Sequence, residues 1–191
     1  MVAQHPLPVQ PMKTLIDQLS QYADYHRDPR NILTHFVGVP LIMWAVVILL
    51  ARLQWAVPLA EGLPALPLSL ALLAALAAGL YYCLLDLRYG MAMALVLALM
   101  LALAQPIALL PMGAWLGWGL GIFAVGWVIQ FVGHYYEGRK PAFLDDIVGL
   151  VIGPLFVLAE LGFALGLRRE VQQAVEQRSG PVRRHTGGAH A

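Results

Sequence analysis

Five runs of about twenty apolar residues constrain this chain more than any other feature, because each is long enough to cross roughly 30 Å of hydrocarbon at about 1.5 Å of helix per residue. They cover Phe36 to Leu53, Ala65 to Leu85, Met91 to Leu110, Met112 to Val132 and Ile147 to Leu167. A backbone in lipid has no water to satisfy its N–H and C=O groups, so such runs fold as helices. The expected fold is all-α, a polytopic membrane helical bundle of four to five spans. The range reflects the last run, where Gly149, Gly153, Pro154 and Glu160 allow a straight span, a kinked one or a re-entrant hairpin. Charge content agrees: 12% of residues are Asp, Glu, Lys or Arg, about half the share in an ordinary soluble domain.

Composition also removes some functions. The formal net charge is +1, and no basic patch is interleaved with aromatic residues, so nucleic acid is not an expected partner. The single cysteine, Cys83, excludes an internal disulfide and a cysteine-based metal cluster. The start, "MVAQHPLPVQPMK", has no apolar core behind a basic segment, so a cleaved signal peptide is not expected.

Ahead of the first run, Leu15, Ile16, Leu19 and Tyr22 recur at three- and four-residue spacing, which predicts an amphipathic helix over Met12 to His26 lying on the membrane surface. Asp28 and Pro29 then suit the cap and first position of a new helix, with Pro40 further along as a kink point. The chain divides into a flexible N-terminus (1–11), a single membrane domain (12–167) and a basic, disordered tail (168–191). His5, His185 and His190 fall in the tails and receive no role. No internal repeat is evident, and nothing in the sequence indicates oligomeric state.

Lysine and arginine set the orientation. Lys13, Arg27 and Arg30 precede the first run, Arg88 lies between the second and third, and Arg139 and Lys140 between the fourth and fifth, whereas the other two links carry only Arg52. By the positive-inside rule the N-terminus is cytoplasmic. The membrane is the plasma (inner) membrane in a bacterium and the endoplasmic reticulum in a eukaryote. This arrangement brings "YHRDPRNILTH", "LLDLRYG" and "QFVGHYYEGRKPAFLDD" to one cytoplasmic face.

Those segments carry the polar residues. Gln130, His134 and Glu137 are four and three apart, so they share one helical stripe, as do Asn31 and His35. Tyr22 and His26 are four apart on the amphipathic helix, and the Asp28-Pro29 break allows His26 to fold back toward His35. Three imidazoles with nearby carboxylates are the materials of a first-row transition-metal site, whereas calcium and magnesium prefer oxygen. Read from the residues alone, the chain is a metal-dependent oxygenase, a zinc-dependent lipid hydrolase with Glu137 as general base, or a small transporter with Glu160 in its pathway. Asp86 and Arg88 form either a helix-end ion pair or part of the site, and Glu160, inside an apolar run, needs a partner such as an arginine. Trp115, Trp118 and Trp127 read as an interfacial belt.

The patterns "YADYHRDPRNILTHFVGVP" and "QFVGHYYEGRKPA", followed by "GPLFVLAE", resemble the Mpo1-like family, whose fungal member is a 2-hydroxy-fatty-acid dioxygenase of the endoplasmic reticulum. The resemblance covers about Tyr22 to Leu161. It implies an Fe(II) cofactor and reaction of dioxygen with a long-chain 2-hydroxy fatty acid to give an acid one carbon shorter. Position by position it implies His26, His35 and His134 as metal ligands, with Asn31, Gln130 and Glu137 as the neighbouring catalytic residues. Arg27, Arg30, Arg139 and Lys140 are the cations able to steer the substrate carboxylate, and of these Arg30 and Arg139 are assigned to it. With metal at headgroup level, the polar end of a lipid reaches it while the alkyl chain stays in the bilayer.

Overall fold

A computed structural model describes residues 13–58 and 66–183. Helix α1 (Leu15–Ala23) opens on a capping box in which Thr14 accepts from the Asp17 amide and Asp17 accepts from the Thr14 amide. Its end is followed by a short loop carrying His26. Helix α2 (Pro29–Ala51) then starts with Asp28 accepting from the Arg30 amide and with proline in its first turn, where a missing N–H leaves no helical bond unmade. Helices α3 (Leu70–Leu85), α4 (Leu87–Ala108) and α5 (Met112–Glu137) follow. A single 3-10 turn (Ala142–Leu144) leads to α6 (Gly149–Ala164) and α7 (Arg169–Ser179). The result is a helical membrane bundle in which α2, α4 and α5 are long and apolar enough to cross a bilayer.

One apolar run, the second, departs from expectation, and the last takes one of the bent forms that its glycines and proline allowed. The second begins with strand β2 (Leu66–Ser69), which pairs antiparallel with β1 (Gln54–Val57), Trp55 opposite Leu68. Pro67 cannot enter a helix interior without losing a hydrogen bond, and Ser69 supplies the cap of α3 by accepting from the Leu72 amide. What remains is a helix of 16 residues, about 24 Å long and short of a full crossing. In the last run α6 also has 16 residues. Gly166 and Arg168 then take left-handed backbone conformations, and α7 leaves at 115°. The pair is thus a broken span or a re-entrant element rather than a straight one.

The expected disordered tail from Arg168 is corrected in its first part, because α7 folds back on α1. Val171 and Val175 are buried, Arg178 pairs with Asp17, and Ser179 Oγ donates to Ser20 O at 2.8 Å. Residues 184–191 and 1–12, with His5, His185 and His190, lie outside the described residues. Asp86 separates α3 from α4 by capping the latter through the Tyr89 amide. Its carboxylate holds Arg168 in a fork, at 3.0 and 2.9 Å, so its partner is the α6–α7 bend and not Arg88.

Helices α2 and α5 pack most closely. The reason is a row of glycines seven residues apart on α5, Gly119, Gly126 and Gly133, all facing α2. A Cβ at Gly126 would lie 2.7 Å from Ile42 Cγ1, and one at Gly133 would strike Thr34 Oγ1 and come within 2.5 Å of Asn31 Oδ1. Small residues let two helix backbones approach where lipid supplies no hydrophobic drive to associate. At the far end Arg52 donates to Ala108 O and Leu110 O, satisfying carbonyls that the end of α4 leaves free. Every other charge among the described residues belongs to the opposite end or to the elements folded over it.

Candidate metal centre

His26, His35 and His134 come together although they are over a hundred residues apart along the chain. Their ring centroids lie 4.4, 5.0 and 5.2 Å from one another. One nitrogen from each falls within 4.8 Å of the others, and all three residues are buried. Each is delivered by a separate device: His26 by the turn after α1, His35 by the second turn of α2, and His134 by the last turn of α5.

Backbone carbonyls settle the tautomers of two rings. His26 Nδ1 lies 2.7 Å from Tyr22 O and His35 Nδ1 2.8 Å from Asn31 O. A carbonyl only accepts, so each Nδ1 carries the proton and each Nε2 presents a lone pair. Yet the two Nε2 atoms face each other at 3.0 Å, where two lone pairs repel. Burial, and then the adjacent His35, hold His26 well below the usual imidazole range, so a second proton does not resolve the clash at neutral pH. An electrophile between the nitrogens does. With metal–nitrogen bonds of about 2.0–2.1 Å, two ligands at right angles on one ion stand about 3.0 Å apart. His134 Nδ1 is buried with no hydrogen-bond partner among the described residues. Neutral imidazoles of this kind suit iron, zinc, copper or nickel.

A tight shell fixes these rings. Tyr22 stacks on His26 with ring planes 2° apart and centroids at 4.2 Å. Phe156 of α6 adds a second aromatic contact. Glu137, one turn beyond His134, has a fully buried side chain. Its Oε2 accepts from the amides of Arg27 and Asp28 at 3.0 and 2.8 Å and from Asn31 Nδ2 at 3.1 Å. The carboxylate thereby staples the His26 loop and the positive start of α2 to the end of α5. Arg183 balances its charge at 3.4 Å.

Beside the imidazoles lies a cavity of about 70 Å³. His35, His134 and Gln130 line its polar side, and Val39, Ile42, Met43 and Trp127 are among its apolar walls. Of the residues expected around a metal, Asn31, Gln130 and Glu137 thus sit at the cluster or its edge. Arg30 and Arg139 do not line this cavity. Arg30 forks onto Asp28 and lies 4.4 Å above the Tyr136 ring, while Arg139 donates to Asp24 O. Arg27 instead reaches Glu160 at 3.5 Å, which supplies the partner that this buried acid needs. Tyr22 stacking, Arg183 and the close α2–α5 approach were missed in the sequence; the seven-residue glycine spacing was the available signal for the last.

A helical membrane protein with a buried cluster of three histidines at one end of its bundle is therefore the class that fold and site define. Residues 12–165 match the family described as 2-hydroxy-palmitic acid dioxygenase Mpo1-like, and the chain belongs to that family. It is 35% identical over 168 residues, 85% of this chain and 87% of the relative, to the 2-hydroxy-palmitic acid dioxygenase MPO1 of Saccharomyces cerevisiae. No solved structure matches.

Proposed function

We propose that the protein is a membrane-embedded, Fe(II)-dependent dioxygenase that shortens 2-hydroxy fatty acids by one carbon. The observation that carries this reading is the pair of His26 and His35 lone pairs held face to face at 3.0 Å beside His134, an arrangement that a bound cation relieves. Kinship with a 2-hydroxy-palmitic acid dioxygenase supports the substrate class. His26, His35 and His134 would hold the ion, which when bound supplies the redox chemistry with dioxygen that side chains lack.

The remaining roles belong to this chain's own residues. The carbonyls of Tyr22 and Asn31 keep two rings in the ligating tautomer, which is the usual second layer of a metal site. Glu137 holds the His26 loop against α5. The apolar cavity wall accepts the start of the alkyl chain, and the rest of the chain stays in the bilayer, so substrate binding requires little desolvation. The balance is closed: a 2-hydroxy acid and one dioxygen give the acid one carbon shorter, carbon dioxide and water, with no added reductant. The lysine and arginine distribution supports a site on the cytoplasmic face.

The test is metal analysis of protein purified in detergent without added metal, together with oxygen uptake on 2-hydroxypalmitate. Bound iron with uptake and release of the acid one carbon shorter is the expected result. Bound zinc without uptake would overturn the reading in favour of hydrolytic chemistry.

A further inference from the structure

The cavity beside the histidines contains a polar side chain with nothing to bind. Gln130 is 3% exposed, and neither Oε1 nor Nε2 has a hydrogen-bond partner among the described residues. Burying a primary amide in this way costs stability, and a leucine at the same place on α5 would avoid the loss. The room for the amide is provided across the helix pair by Gly38, where an added Cβ would lie 2.7 Å from Gln130 Nε2. The residue that carries this unpaired donor and unpaired acceptor lines the cavity together with His35 and His134.

What enters must complement that pair. An amide offers one N–H and one C=O pointing the same way, and its complement is a molecule with an acceptor adjacent to a donor. The carboxylate and hydroxyl of a 2-hydroxy acid, on neighbouring carbons, are such a pair. The walls formed by Val39, Ile42 and Met43 suit the hydrocarbon that follows. Resting on the proposed substrate class, we infer that Gln130 is the residue that reads the 2-hydroxy acid head group. Its Nε2–H donates to the carboxylate and its Oε1 accepts the proton of the 2-hydroxyl. An unsubstituted acid leaves Oε1 unpaired, and a site that pairs a substrate hydroxyl discriminates strongly against the analogue lacking it.

The experiment uses the full-length protein in lipid nanodiscs, under anaerobic conditions so that bound acid is not consumed. Affinities for 2-hydroxypalmitate and palmitate are measured for the wild type, Gln130→Leu and Gln130→Met, and thermal unfolding is followed without ligand. The wild type should prefer the hydroxylated acid by about tenfold or more. Both variants should lose about tenfold of that ratio while unfolding at the same temperature as the wild type or higher. Chelation of a metal by the hydroxy acid contributes equally to all three proteins, so the change in ratio isolates the amide. A wild-type ratio in the variants overturns the inference, as does a lowered unfolding temperature in both, which marks an amide that serves the fold. A wild type that binds the two acids equally counts against the substrate class itself, and the role of Gln130 then falls with it.

Discussion

The α2–α5 pair and the α3–α4 pair are built from similarly greasy sequence, yet they differ in what lies between the helices. Along α2–α5, a Cβ added at Gly38, Gly119, Gly126 or Gly133 would come within 2.7 Å of an atom of the facing helix. In α3–α4 the glycine in close contact is Gly90, which meets Cys83 at the turn, whereas Gly79 meets nothing within 4 Å. Elsewhere that pair displays leucines outward, with Leu80 at 63% and Leu95 at 74% exposed. The contrast teaches that glycines in close contact recur along the helix pair that carries two of the histidines. His35 and His134 sit on the tight pair, while the loose pair completes a hydrophobic body facing lipid.

The comparison breaks most severely if a histidine is lost. Replacing His26, His35 or His134 singly with alanine should reduce bound iron and oxygen uptake to background, read by metal analysis and an oxygen electrode. Met91→Ala on the outer face of α4, 62% exposed, should leave both at wild-type levels. Next in size, Glu137→Gln keeps the shape but removes the charge that holds the His26 loop and pairs with Arg183. Iron affinity should fall about 10- to 100-fold, the usual effect of losing an outer-layer partner, measured by competition with a chelator.

Stability measurements sharpen the same contrast at smaller scale. Gly133→Leu should destabilise the detergent-solubilised protein by about 1–3 kcal/mol, because Thr34 and Asn31 cannot move aside. Gly79→Ala in α3, where an added Cβ meets nothing within 4 Å, should stabilise it by about 0.5–1 kcal/mol through reduced chain entropy. The smallest effect concerns pH. The hydrogen bond from Arg178, then those from Thr14, lower the Asp17 carboxyl from 3.8 to about 2. A depressed folded-state value means that the α1–α7 contact gains stability above the unfolded value of 3.8 and loses it as pH falls through about 2. Proteolysis near α7 should therefore accelerate on acidification across that window with an acid-active protease.

Much of this was legible in the sequence, for identifiable reasons. Helical spacing placed Gln130, His134 and Glu137 on one stripe, and the Asp28-Pro29 break allowed His26 to turn toward His35, since both are local rules of backbone geometry. The β-hairpin went unread because its strands are as apolar as a span and differ from one only in length and in Pro67. The tail was misjudged because its composition is polar; Val171 and Val175 are two residues in a helix whose partner, α1, lies at the other end of the chain. The assignment of Arg30 and Arg139 to the substrate followed charge and proximity, and neither reveals that Asp28 and the carbonyl of Asp24 already occupy them.

Arg27 and Arg183 give the site a place in time as well as in space. The Arg183 amide donates to Arg27 O at 2.8 Å, and Arg27 Nη1 donates to Gly180 O at 2.9 Å, so the loop bearing His26 acquires its final clasps from residues translated more than 150 positions later. All the transmembrane helices can be threaded into the bilayer by the ribosome before that moment. The histidine cluster is thus clasped only after the helices that carry His35 and His134 have been made and can already have been committed to lipid.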